Sequence, residues 1–208
     1  MSPQISVLLG VAAAYLLGGF PTGVVVGKVL HNRDICKLGS GNPGAINVWR
    51  VFGFKWAVLV ILLDVGKGWL AAGWLPKVAL AEPVPLVAAL FGLSAMMGHI
   101  WSPYIRFSGG KGVAAAFGCG LALYPTAALI CLALWFVIVA LTRYSSVASL
   151  TACACYPAAV YWKSEPGFPE IVVSLIIPLL LLFTHRSNLR RLWAGEELKI
   201  GHQNQSVK

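Results

Sequence analysis

Three stretches of the chain combine glycine with donor side chains in the way that phosphate oxygens require. The longest, at 38–50, reads Leu38-Gly39-Ser40-Gly41-Asn42-Pro43-Gly44-Ala45-Ile46-Asn47-Val48-Trp49-Arg50. Gly109-Gly110-Lys111-Gly112 opens a second at 109–114, and Thr184-His185-Arg186-Ser187-Asn188 opens a third at 184–191. Glycines let consecutive backbone N–H groups turn toward one anion. Ser40, Asn42, Asn47 and Asn188 can add side-chain donors, and Arg50 and Lys111 add charge. Helices are expected to start just after Gly44 and Gly112, and their unpaired N–H groups would serve the same ligand.

Two familiar phosphate-binding patterns do not apply. Gly39-x-Gly41-x-x-Gly44 has the dinucleotide-binding spacing, with Asp64 following 20 residues on. An apolar helix precedes it where that fold needs a strand, however, and Asp64 falls inside the next apolar run. Gly110-Lys111-Gly112 resembles the end of a P-loop, yet Gly112 replaces the magnesium-holding Ser or Thr and Ile105 stands where the leading Gly belongs. No acidic pair or His cluster has metal-ligand spacing, so neither a metal nor a cofactor is expected, and a CDP-alcohol phosphotransferase is disfavoured. Ser40 has no base within its own motif, which leaves a covalent acyl-enzyme unsupported. His185 either meets a ligand or caps the carbonyl end of the last span.

The elements that must position these segments are membrane helices. The 208 residues are 58% hydrophobic and 11% charged, with a mean hydropathy of +0.78. Soluble domains carry about 25% charge, so an all-α, polytopic membrane protein of one domain, 1–208, is expected. Sixteen Lys plus Arg against seven Asp plus Glu point to anionic lipid surfaces or an anionic substrate rather than nucleic acid. The first apolar run lacks the basic start of a cleaved signal peptide and is read as a retained helix at 5–27. A second span is expected at 56–75, a third between Glu82 and Arg106, a sixth between Arg143 and Lys163, and a seventh between Glu170 and Arg186. Residues 112–142 are uncharged and would make one helix of roughly 46 Å. Tyr124-Pro125 offers a break that divides them into two short helices, the fourth and fifth.

The basic residues choose the parity. With seven spans, Lys77 and Lys163 alone face outward and thirteen others face the cytoplasm, whereas six spans split the same residues eight to seven. About seven transmembrane helices are therefore expected, with the N-terminus outside, the C-terminus cytoplasmic and all three glycine-bearing segments on the cytoplasmic face. Arg106, Arg143, Arg190 and Arg191 are read as topology markers. Asp64 and Lys67, spaced i, i+3, lie where a lone charge costs about 2.5 to 3.5 kcal/mol. They are expected to form a structural ion pair, roughly 15 Å along the helix from the glycine motifs. His99 lies nearer that face, where a loop carbonyl is its expected partner, while His31 and His202 are read as solvated. The five cysteines sit mostly in apolar runs and are assigned no chemistry.

Together these segments resemble the bacterial acyl-phosphate:glycerol-3-phosphate acyltransferases, the PlsY family, over nearly the whole chain. The resemblance rests on 39–50, on Gly98-His99 with 109–114, on 185–191, and on Leu63-Asp64-Val65-Gly66-Lys67-Gly68. Ile46 and Ala115 occupy places where the family often has Thr, and Ser187 one where Glu is common. The resemblance implies transfer of a fatty acyl group from acyl phosphate to the 1-hydroxyl of sn-glycerol 3-phosphate, with no need for coenzyme A or acyl carrier protein. It implies a bacterial inner-membrane location, with membrane lipids around the helices and the active site facing the cytoplasm. On this reading Ser40, Lys111, His185 and Asn188 are catalytic, and Gly39, Gly41, Asn42, Gly44, Asn47, Arg50, Gly109, Gly110 and Gly112 bind substrate. The hydroxyl proton passes to His185 or to the donor's own phosphate. A transporter of organic anions would need polar access from both sides, which the crowding of polar motifs on one face argues against.

Overall fold

Proline and glycine decide where the helices stop. Helices α1 (Pro3–Gly19) and α2 (Thr22–His31) form one apolar stretch interrupted at Phe20-Pro21. Helices α3 (Ala45–Phe52) and α4 (Phe54–Trp69) are divided by Gly53, whose φ is 97°. α4 runs through a π-helical turn at Leu70–Trp74 into α5 (Leu75–Ala79). The rest are α6 (Pro85–Ile100), α7 (Val113–Leu123), α8 (Pro125–Thr142), α9 (Ser145–Ser164), α10 (Phe168–Thr184) and α11 (Arg186–Trp193). The computed structural model describes residues 2–82, 84–164 and 166–201, all of them helical or connecting. Glu165, His202 and Lys208 lie outside the described residues.

The chain is a multi-pass, all-helical membrane protein. Among the described residues four helical stretches are long and apolar enough to cross a bilayer: Pro3–His31, Phe54–Ala79, Pro85–Ile105 and Pro125–Thr142. A fifth is reached if α10 is counted with α11 across their 55° bend. The count by this measure is four or five, against the seven expected. α7 has 11 residues, roughly 16 Å of helix. α9 has 20 residues but carries Ser145, Ser146, Ser149, Thr151 and Lys163, which dilute its apolarity. The break at Tyr124-Pro125 falls where expected, yet only one of the two helices there is short. Nothing interrupts the chain after Pro125 until Arg143, so α8 takes 18 residues and α7 keeps the remainder.

Glycines bring backbones together in a solvent that cannot press helices together hydrophobically. On α1 and α6 the contact is reciprocal: a Cβ on Gly18 would stand 2.0 Å from the Ala95 carbonyl oxygen, and one on Gly98 would stand 2.0 Å from that of Tyr15. α4 and α7 repeat the device, with Gly68 facing the Ala115 carbonyl at 2.2 Å and Gly118 facing that of Val65 at 2.0 Å. α8 packs on α9, and α9 on α10. The first two pairs fix the helix that carries Asp64 and the glycine loop that precedes α7. Gly98→Val should therefore destabilise the protein by about 1–3 kcal/mol through overpacking. Gly66→Ala, where nothing lies within 4 Å of the added carbon, should be near neutral; thermal unfolding in detergent reads both.

Candidate active site

The site starts at a buried carboxylate. Asp64 on α4 pairs with Lys67, one turn on, at 2.9 Å and accepts a hydrogen bond from Thr22 Oγ1 of α2 at 2.6 Å. Lys67 also donates to the Phe20 carbonyl at 2.8 Å, a group freed by the α1–α2 break. His99 Nδ1 on α6 lies 3.6 Å from the same carboxylate, so Asp64 rather than a loop carbonyl is its neighbour. The expected ion pair is present, but its expected remoteness is not. Asp64 and His99 line the same cavity as Ser40 and Lys111. Reckoning along a straight helix fails because the first motif folds back among the helices. The Pro43 carbonyl oxygen lies 1.9 Å from where a Cβ on Gly23 would stand, next to Thr22.

That motif is braced from within. Gly39, at φ 58°, sits in the left-handed region that lets the chain reverse. The Ser40 N–H then donates to Asn47 Oδ1 at 2.8 Å, and Asn47 Nδ2 donates to the carbonyls of Leu38 at 2.9 Å and Ile35 at 3.3 Å. Asn42 Oδ1 accepts from the Gly44 N–H at 2.8 Å, just before α3. Ser40, Asn42, Gly44, Asn47 and Arg50 stand on the cavity wall, whereas Gly39 and Gly41 shape the turn behind it. Arg50 donates from Nη2 to the Leu198 carbonyl at 2.9 Å. Its Nε is buried with no partner among the described residues.

The second motif departs from expectation. The N–H groups of Gly109 and Gly110 are spent on the carbonyls of Ile100 at 2.9 Å and His99 at 3.0 Å, so they do not form an open anion nest. A Cβ on Gly110 would stand 2.2 Å from His99 Nε2, which makes both glycines seats for the loop on the end of α6. Lys111 and Gly112 reach the cavity, and Gly112 precedes α7 as expected.

The third motif closes on the second. Thr184 Oγ1 donates to the Lys111 carbonyl at 3.0 Å, and Lys111 Nζ donates to Asn188 Oδ1. His185 stands beyond the last residue of α10, where the chain bends into α11. Its Nδ1 lies 2.8 Å from the Leu181 carbonyl, which can only accept, so Nδ1 carries the proton and Nε2 keeps a lone pair. Burial, with Lys111 alongside, holds this imidazole down to about 4, neutral at pH 7. Burial likewise draws the Lys111 ammonium down to about 8; Glu197 opposes the fall while Arg191 and Arg50 add to it.

Glu197 is the residue that sequence reasoning missed. Its carboxylate accepts from Asn188 Nδ2 at 2.6 Å, Ser146 Oγ at 2.8 Å and Arg191 Nε at 2.8 Å. Burial alone would raise this carboxyl, but those three hydrogen bonds outweigh it and hold the group below its ordinary 4.5. Arg191, expected as a topology marker, lines the cavity, as do Ser145 and Ser149. The available signal was the spacing of Asn188 and Arg191, which places both on one face of a short helix followed by an acidic residue. His31 is no solvated residue either, since its ring stacks on Phe52 at 4.2 Å.

All three motifs thus meet on one cavity of about 340 Å³. Its wall combines the polar groups above with the apolar side chains of Phe117, Leu132, Trp135 and Ile177. Among the described residues no three His, Cys, Asp or Glu side chains gather as a metal site.

Residues 8–195 match the family described as glycerol-3-phosphate acyltransferase. The chain belongs to that family. A glycerol-3-phosphate acyltransferase of Methylobacillus flagellatus is 44% identical over 93% of this chain and 97% of its own length. One from Neisseria meningitidis serogroup C is 43% identical over 93% and 96%. Two crystal structures of PlsY (YgiH), an integral membrane glycerol 3-phosphate acyltransferase, superpose with TM-scores of 0.85 and 0.83 at 35% and 34% identity, each covering 94% of this chain and 96% of the other. One is its glycerol 3-phosphate form and the other its lysophosphatidic acid form.

Within this acyltransferase the Glu197 carboxyl, depressed in the folded state, stabilises the fold fully above its unfolded value and loses that contribution as pH falls through the folded one. Glu197→Gln should cost about 1–3 kcal/mol at neutral pH and flatten the dependence of stability on pH below about 4.5. Unfolding midpoints across an acid pH series measure both effects.

Proposed function

We propose that this acyltransferase takes acyl phosphate as donor and esterifies the 1-hydroxyl of sn-glycerol 3-phosphate, releasing 1-acylglycerol 3-phosphate and inorganic phosphate for phospholipid synthesis. The observation that carries this reading is one cavity lined both by Arg50, Lys111, His185 and Asn188 and by apolar side chains that include Phe117, Leu132 and Ile177. Both substrates bear phosphate, and one bears a tail that belongs among apolar helices. Coenzyme A and acyl carrier protein have no part in this reading.

The Ser40 hydroxyl, with the N–H groups at the start of α3 where Ala45 and Ile46 line the cavity, holds the donor's phosphate, since the N–H groups of Ser40, Gly41 and Gly44 are spent within the motif. Lys111, Arg50 and Asn188 hold glycerol phosphate, and the unpartnered Arg50 Nε supplies a charge-assisted donor where a buried N–H needs an acceptor. The hydroxyl oxygen attacks the acyl carbonyl carbon, an ester C–O bond forms, and the bond from that carbon to the phosphate oxygen breaks. Phosphate leaves with the electron pair. An imidazole held near 4 is a weak base at neutral pH, so the departing phosphate accepts the proton and His185 orients the hydroxyl through Nε2. Mixed anhydrides are already activated, and alignment can supply up to roughly 7–11 kcal/mol of the acceleration.

The topology that suits this chemistry has seven crossings, with α7 and α9 as crossings beyond the long apolar stretches. The N-terminus is then outside and the active site and C-terminus face the cytoplasm across a bacterial inner membrane. A cysteine replacing Arg190 should be labelled from the cytoplasmic face of sealed vesicles and one replacing Lys77 from the other face; the reverse pattern sinks this orientation.

Purified protein given palmitoyl phosphate and glycerol 3-phosphate should make 1-acylglycerol 3-phosphate, while palmitoyl-CoA in its place should not. Product from palmitoyl-CoA alone would overturn the donor assignment. Lys111→Ala should lower kcat/KM for glycerol 3-phosphate on the order of a hundredfold or more. Because Lys111 is charged below about 8 and neutral above it, kcat/KM should hold level to that pH and then decline. Lys111→Arg should carry the plateau to higher pH.

A further inference from the structure

The apolar part of the cavity wall includes a group of small residues that ends against a large one. Gly120 on α7, Ala128 and Cys131 on α8, and Ala152 and Cys153 on α9 all line the cavity. Small residues on three adjacent helices leave room that close packing would otherwise fill. At their far end stands a large one. The Tyr156 ring and its hydroxyl both come within 3.3 Å of where a Cβ on Gly120 would sit, and the Ala128 Cβ within 3.4 Å. Two helices give a similar depth for this wall. Along α7, Gly120 is ~11 Å of helix from Val113, the residue that follows Lys111 and Gly112, and along α9, Tyr156 is ~16 Å from Ser145. Ser145 adjoins Ser146, which holds Glu197 at the polar end.

We propose that Tyr156, seated against Gly120 and Ala128, closes the acyl slot and sets the longest acyl chain that the enzyme accepts. The proposal rests on the reading above, in that the tail of the donor is what fills the slot. A competing path exists between α4 and α8, where exposed Ile61 and Phe136 also belong to the cavity wall. A tail leaving there would not feel Tyr156.

The test measures kcat/KM for myristoyl, palmitoyl and stearoyl phosphate with the purified full-length protein. In Tyr156→Ala the stearoyl-to-myristoyl ratio should rise about tenfold, the scale of burying a few further methylenes. Tyr156→Phe, which keeps the ring, should leave the ratio as in the parent. Gly120→Ala, whose added carbon presses the ring, should lower it severalfold, and this variant decides the matter if Tyr156→Ala does not fold. An unchanged ratio in every folded variant overturns the proposal. If the parent uses no acyl phosphate at all, the donor assignment falls by itself. The slot is then read from thermal stabilisation by 1-acylglycerol 3-phosphates of the same chain lengths. A length dependence that moves with Tyr156→Ala or Gly120→Ala supports the wall, and stabilisation indifferent to length overturns it.

Discussion

A charge or a freed carbonyl in hydrocarbon must find a partner within the protein, and the pairing of Asp64 is where this chain meets that constraint. Thr22, Lys67 and His99 come to it from α2, α4 and α6, and Lys67 also satisfies the carbonyl released at Phe20. The helices so joined are those from which the first two glycine segments hang. Pro43 reaches Gly23 beside Thr22, and Gly110 rests on the ring of His99. The polar end of the cavity is therefore built outward from a neutralised pair.

The balance of charge at the mouth follows the same logic with a different counter-ion. Lys111, Arg50 and Arg191 would repel one another if gathered alone, and Glu197 sits among them as the compensating carboxylate. By accepting from the Asn188 amide nitrogen it turns that residue's oxygen toward Lys111, so one acidic group sets the direction of two others. Such a site has donors fixed before a phosphorylated molecule arrives. Fixed donors suit a reaction whose main requirement is alignment.

The sequence made the polar ends of the helices easier to read than their depth. Glycine before α3 and α7 and proline before α8 act locally, through one residue's backbone, and their effects appeared where expected. The convergence of 38–50, 109–114 and 184–191 was also legible, because charge distribution constrains which loops share a side. Depth was not legible. Asp64 seemed far from the motifs because the inward fold of Pro43 depends on contacts with α2 that no local pattern encodes. Gly109 and Gly110 looked like an anion nest, since nothing in the sequence shows that the carbonyls of His99 and Ile100 claim their N–H groups. The crossings were hard to count for a related reason. A helix such as α9 can carry serines because Ser146 and Ser149 turn toward the protein, and which face turns inward is a tertiary property.

The clasp at Glu197 has a consequence for how the helices are tied together. Its carboxylate joins Ser146, at the start of α9, to Asn188 and Arg191 on α11, with α10 between them in the chain. A single acidic side chain beyond the last helix therefore tethers the ends of elements that hydrocarbon does not press together.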